Sequence, residues 1–298
     1  MVKIIITLMF LSLLSKMTFL LVSILLFAFN NVLWKQLLNS YPPLILILTR
    51  ALFTSVLGAL VLVFLRTDLL SNFLNFGMAA LFASVLGGCG LLFMLFGLKK
   101  GSLKVFGVYS LFGTLISCTY LYWFENFSIE NYFLGSVSIS IGFLLFLFSR
   151  NKGEEKPGLK THLNYLFMIL FFSASSIIHW KNLSTGASPL FTVALQEMIV
   201  FALGVFAAVL LGQKLRITEY LNFKFIGSCT IMAFVVFGAL VFGFLGLKIT
   251  DPYLNSLLSL TVPVLTILFG VLFFKEKLNS TLLVSLSCIS LGAFLLKV

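Results

Sequence analysis

Apolar runs long enough to cross a lipid bilayer recur from one end of this 298-residue chain to the other. That recurrence constrains the fold more than any motif does. A helix needs about 20 mostly apolar residues to span the hydrocarbon core. Ten segments qualify, at 17–38, 43–65, 78–98, 105–124, 131–148, 163–183, 189–211, 225–247, 253–274 and 279–296. Their connections are short, as between antiparallel neighbours. The chain is 60% hydrophobic and only 10% charged, whereas a soluble domain carries about 25% charged residues. The bilayer is therefore its solvent, and the expected class is an all-α membrane protein with ten transmembrane helices. Lys3 precedes an apolar stretch that no small-x-small cleavage site closes, so the start reads as retained. Met17 opens a well-formed first span, and residues 1–16 read as an N-terminal extension.

One strongly polar stretch, RNKGEEKPGLKTH at 150–162, cuts the chain almost in half. It reads as a linker between a first unit, 1–149, and a second, 163–298. The two units repeat each other. Trp34-Lys35, Pro43, Arg50 and Gly58 recur 146 residues later as Trp180-Lys181, Pro189, Gln196 and Gly204. Gly97-Leu98-Lys99 returns as Gly246-Leu247-Lys248, and the acidic turn at Glu125 returns at Glu276. Late glycines, Gly142 and Gly292, follow in the last span of each unit. Ordered matches at a nearly constant offset indicate duplication. Five spans is an odd number, so the second unit enters the membrane from the opposite side. Two inverted five-helix repeats are expected, an architecture that places a solute site near the midplane between them.

The formal charge of +11 sits on lysines and arginines in short loops, where it serves as a topology signal rather than a nucleic-acid surface. Cys89, Cys118, Cys229 and Cys288 each lie alone in an apolar run, without metal-ligand or disulfide spacing. The Gly87-Gly88-Cys89-Gly90 cluster lacks the Lys-Ser/Thr of a phosphate loop and reads as close helix packing. His162 and His179 form no metal motif. No enzyme, cofactor or metal site is expected.

The W-K that ends the first span, the P-x6-R that opens the second and the acidic turns before the fifth and tenth resemble the drug/metabolite transporter superfamily, specifically its ten-span EamA type. Thr114 departs from the pattern where Pro263 keeps it, and Gln196 stands where Arg50 would repeat. The resemblance implies a secondary transporter that exports a small polar metabolite, such as an amino acid or related zwitterion or anion, by alternating access through a central cavity. Relatives carry sugars, nucleotide-sugars or lipid-linked sugars, so a lipid-linked sugar flippase is the alternative. A non-transport scaffold is the reading from another class. The expected setting is a bacterial cytoplasmic (inner) membrane, with a small-molecule solute and membrane lipids as partners and a monomer or homodimer as the assembly. The resemblance places both termini inside, while the excess of basic loop residues on the opposite side places them outside.

Candidate solute-binding residues are the polar groups stranded at membrane depth. Asn30 lies mid-span in the first helix, and an amide there needs a protein or cavity partner. Tyr109 with Ser110 and Thr114 on the fourth span, and Asn255 and Ser259 with Ser256, Thr261 and Pro263 on the ninth, give equivalent polar faces on the two sides of the pathway. Pro263 marks a possible kink. Lys35 and Arg50 near the first hairpin are candidates to attract an anionic or zwitterionic solute, with headgroup snorkelling as the other reading of Arg50. Gln196 and Glu197 occupy the equivalent place in the second unit, with His179, Trp180 and Lys181 on the preceding helix. Glu197 is read either as a structural ion pair with Lys181 or as a group that binds solute or carries a coupling proton. Glu125 and Glu276 read as solvated loop carboxylates.

Overall fold

The computed structural model describes residues 2–66, 68–100, 103–125, 133–148, 158–212, 220, 222–274 and 280–295, with side chains described at most of these positions from Thr18 onward. These residues form helices α1 (Val2–Leu38), α2 (Pro43–Phe64), α3 (Leu69–Lys100), α4 (Leu103–Phe124), α5 (Phe133–Phe148), α6 (Leu159–Ser184), α7 (Pro189–Leu210), α8 (Phe223–Ile249), α9 (Pro252–Ser259), α10 (Thr261–Phe274) and α11 (Ser280–Leu295). No strand occurs among the described residues. Six of the helices, α1, α2, α3, α6, α7 and α8, are long and apolar enough to cross a membrane. The expected spans 105–124, 131–148, 253–274 and 279–296 correspond to α4, α5, α9 with α10, and α11. The polar linker lies outside the described residues as far as position 157, and α6 begins at Leu159.

Local chemistry sets the helix ends. Proline occupies the first turn of α2, α7 and α9, where its missing N–H costs nothing. Asn222 accepts from the Phe225 amide at 2.8 Å to cap α8, and Asp251 accepts from that of Leu254 at 2.8 Å to cap α9. Gly186 (φ +124°) follows α6 and Gly212 (φ +58°) follows α7, where a left-handed residue ends the helix. Arg66 (φ +47°) does the same after α2, separated from Gly212 by the same 146 residues that separate Trp34 from Trp180.

The expected single span at 253–274 is two helices. Leu260 breaks it between α9 and α10, its N–H turning to the Leu257 carbonyl at 3.2 Å. Pro263 causes this, because it has no N–H to give the Ser259 carbonyl one turn earlier. The expected third span, 78–98, is also longer at its start: Leu69, Leu70, Phe73 and Leu74 extend α3 back to Leu69.

Packing joins the two halves throughout. Helix α1 packs on α8, α2 on α7, α3 on α6 and α7, α4 on α6 and α9, and α5 on α11. Fully buried Trp34, Tyr165 and Phe225 anchor one core cluster, and Leu20, Leu121, Phe143 and Leu254 a second. The outer surface is apolar, with Phe64, Leu74, Met78, Trp123 and Phe223 largely exposed. Such a surface has hydrocarbon as its natural surroundings. Small residues let the helices approach. Gly87 and Gly90 face Ser175 and Phe172 of α6, while Gly88 faces Leu203 of α7. The glycine cluster on α3 is thus a packing surface.

Candidate functional site

Side chains from both halves enclose a cavity of about 320 Å³, at the lower end of the roughly 300–1,000 Å³ usual for small-molecule sites. Its wall is mostly apolar, from residues such as Ile24, Phe27, Met94, Phe172 and Leu240. Asn30, Arg50, His179, Gln196, Glu197, Asn255 and Ser259, all singled out from the sequence, line it. Lys35, Tyr109, Trp180 and Lys181 do not.

Helix α2 carries Arg50 and α7 carries Glu197, and the two form an ion pair through Arg50 Nη1 and Glu197 Oε2. The pair is buried, with 1% and 2% of the side chains exposed. The guanidinium carbon stands 5.9 Å from the centroid of the Trp34 ring, within cation–π range. Removing such charges from water costs several kcal/mol per ion and is offset only by good geometry and further hydrogen bonds. Here one such bond is missing, because Arg50 Nε has no partner in the protein.

Other buried polar atoms around the cavity are in the same position. Asn30 Oδ1 and Ser176 Oγ lack hydrogen-bond partners, and the His179 ring nitrogens make no bond of normal geometry, with the Gln196 side chain beside the ring, although Asn30 and His179 are only 4% and 1% exposed. The His179 ring lies 4.8 Å from that of Phe244, centroid to centroid. Buried polar groups are nearly always bonded, so this cluster offers donors and acceptors to whatever enters. Other hydroxyls are already spent on helix packing. Ser23 donates to the Ala239 carbonyl at 2.7 Å, and Ser175 to that of Ala83 at 2.7 Å.

The pairing of Glu197 with Lys181 considered from the sequence is not formed. Lys181 sits in the last turn of α6 and is 53% exposed, whereas Glu197 lies roughly 12 Å along α7 from Pro189. Lys181 instead meets Glu125 at 3.0 Å and sits 5.5 Å over the Tyr120 ring. Glu125 is therefore an exposed carboxylate with a partner, and Glu276 lies outside the described residues. Lys35 is exposed at the end of α1, because the turn that buries Trp34 points its neighbour away. Tyr109 shares a hydrogen bond with His162 Nδ1 at 3.1 Å between α4 and α6, leaving Ser110 to line the cavity. Trp180 donates from Nε1 to the Thr250 carbonyl at 3.0 Å. An exposed ion pair is worth about 0–1 kcal/mol. Lys181→Gln is therefore expected to leave folded yield and flux close to wild type, and a large loss of either in purified protein would contradict this placement.

Sequence reasoning missed the serines of α6. Ser173, Ser175 and Ser176 line the cavity beside His179. The signal was present in FFSASSIIHW, where three hydroxyls interrupt an otherwise apolar span.

The structure is thus a helical membrane fold with a cavity lined by buried polar groups between its halves. Residues 162–298 match the model of the EamA-like transporter family. Over those residues the chain is similar to this family of membrane transporters, which lies within the drug/metabolite transporter superfamily. A crystal structure of another protein superposes with a TM-score of 0.75 over 95% of this chain and 97% of its own, at 16% identity. At that identity the likeness shows the fold, and it extends through the first half. No curated protein matches the chain.

Proposed function

We propose that this protein is a secondary transporter that exports a small polar metabolite, an amino acid or a related zwitterion or anion. It works by alternating access through the central cavity, with ten spans arranged as two inverted five-helix repeats in a bacterial cytoplasmic membrane. The observation that carries this reading is the cavity itself. It is built by both halves and holds a buried ion pair together with unpartnered atoms of Asn30 and Ser176.

The pattern of helix contacts supports the repeat. Exchanging α1–α5 with α6, α7, α8, α9–α10 and α11 turns the α1–α8 contact into α6–α3, α3–α7 into α8–α2, and α4–α6 into α10–α1. The α2–α7, α4–α9 and α5–α11 contacts map onto themselves. The left-handed residues Arg66 and Gly212 obey the same exchange. With inverted halves, Arg50, roughly 10 Å along α2, and Glu197, roughly 12 Å along α7, start from opposite faces and meet near the midplane.

The cavity volume favours a metabolite over a lipid-linked sugar, and a scaffold has no use for unpartnered polar atoms at this depth. The test is flux by purified protein in sealed vesicles across a panel of amino acids, organic anions and sugars. Gradient-driven or exchange flux of at least one small solute is expected. Its absence across the panel would sink the proposal.

A further inference from the structure

Arg50 lines the cavity and holds Glu197 through Nη1, yet its Nε is buried and unpartnered. A guanidinium offers five N–H groups in a planar fork that matches a carboxylate. An arginine whose only task was to lock α2 against α7 would have that edge saturated, because an unused buried donor is costly. Among the described residues lining the cavity, Glu197 is the sole carboxylate and Arg50 the sole arginine. With the pair intact, these two charges cancel.

We propose that a solute monocarboxylate docks on Arg50, displaces Glu197 as its counter-ion, and that Glu197 takes up one proton as it lets go. Anion and proton would then cross together. This rests on the transporter reading above and narrows its solute class.

The charge balance drives the step. An anion entering a neutral cavity brings one negative charge, and Arg50 can neutralise only one carboxylate at a time. The displaced Glu197, 2% exposed, would be an uncompensated charge at membrane depth, which is expensive. A proton from water on the loading side forms the O–H bond at Glu197 as its contact with Arg50 Nη1 breaks. On the far side the carboxylate leaves, the ion pair re-forms and the proton returns to water. A zwitterion needs no such proton, since its ammonium group can stay with Glu197.

The elements packed on α7 offer few competing titratable groups. Helix α2 brings Arg50, α3 brings Cys89 and Lys99, and α8 brings Lys224, Cys229 and Lys248. Lys99 and Lys224 lie at helix ends, and Lys248 reaches the Ala187 carbonyl at 3.4 Å. Across the cavity stands His179 on α6.

The test is titration calorimetry of the purified protein in nanodiscs at neutral pH, in two buffers of different ionisation enthalpy. Pyruvate and phenylpyruvate serve as anions, and alanine and phenylalanine as zwitterions of matched shape. Binding of an anion is expected to take up about one proton, and binding of a zwitterion none. Glu197→Gln should bind the anion roughly tenfold more tightly or better, without proton uptake, because no internal carboxylate competes for Arg50. Anion binding without proton uptake by the wild type, uptake that survives Glu197→Gln, or failure of both anions to bind would each overturn the proposal. If Glu197→Gln does not fold, the wild-type comparison between buffers decides alone. Vesicle flux of a zwitterion alone would leave the transporter reading standing while this inference falls.

Discussion

Arg50→Leu is expected to collapse the yield of folded protein and abolish flux, and adding Glu197→Leu is expected to restore the yield but not the flux. Removing one partner of a buried pair strands the other, at about 3–5 kcal/mol. That is a large fraction of the stability of an ordinary protein. Replacing both with leucine removes the stranded charge and fills the α2–α7 contact with apolar volume, which is often neutral or favourable. Gel filtration and thermal unfolding in detergent read the first effect, and vesicle flux reads the second. If the double variant transports, the pair is only a brace between helices. If the single variant folds as well as the wild type, the pair is not buried as described.

Gly292→Ala is expected to disrupt the contact between α5 and α11, whereas Gly227→Ala should change almost nothing. A Cβ at Gly292 would come within 2.7 Å of the Ile139 amide nitrogen and 2.8 Å of the Gly135 carbonyl oxygen. These are backbone atoms and cannot rotate aside. Overpacking of this kind costs about 1–3 kcal/mol. The contact is further stitched by hydrogen bonds from Ser138 to the Cys288 carbonyl at 2.9 Å and from Ser285 to that of Gly142 at 2.5 Å. At Gly227 a new Cβ meets nothing within 4 Å. Thermal unfolding of the two purified variants makes the comparison. Equal midpoints would show that α11 does not press on α5 in this way.

The helical membrane class was legible because hydrocarbon imposes a length on every span, and that length can be counted along the chain. Pro43 and Pro189, which suggested a repeat in the sequence, both stand in the first turn of a helix, α2 and α7, and these two helices pack on each other. Seven of the candidate residues line the cavity because a polar side chain at membrane depth has few other places to go. The pairing was harder. Glu197 was matched to Lys181 because the two are close in sequence, yet partners in a membrane are chosen by depth. Arg50 and Glu197 stand at similar distances from the starts of their helices, and α2 packs directly on α7. The break at Leu260 was half legible: Pro263 announced a kink, but not that the helix would stop and restart.

The Arg50–Glu197 pair also bears on how the transporter responds to membrane voltage. Moving one elementary charge through the membrane field involves about 2.3 kcal/mol for each 100 mV. A bound plus and minus that travel as a unit present no net charge for that field to pull. On the alternating-access proposal, this pair therefore adds no charge movement to the reorientation of the empty protein, and the cell's electrical gradient does no work on the pair during the return stroke.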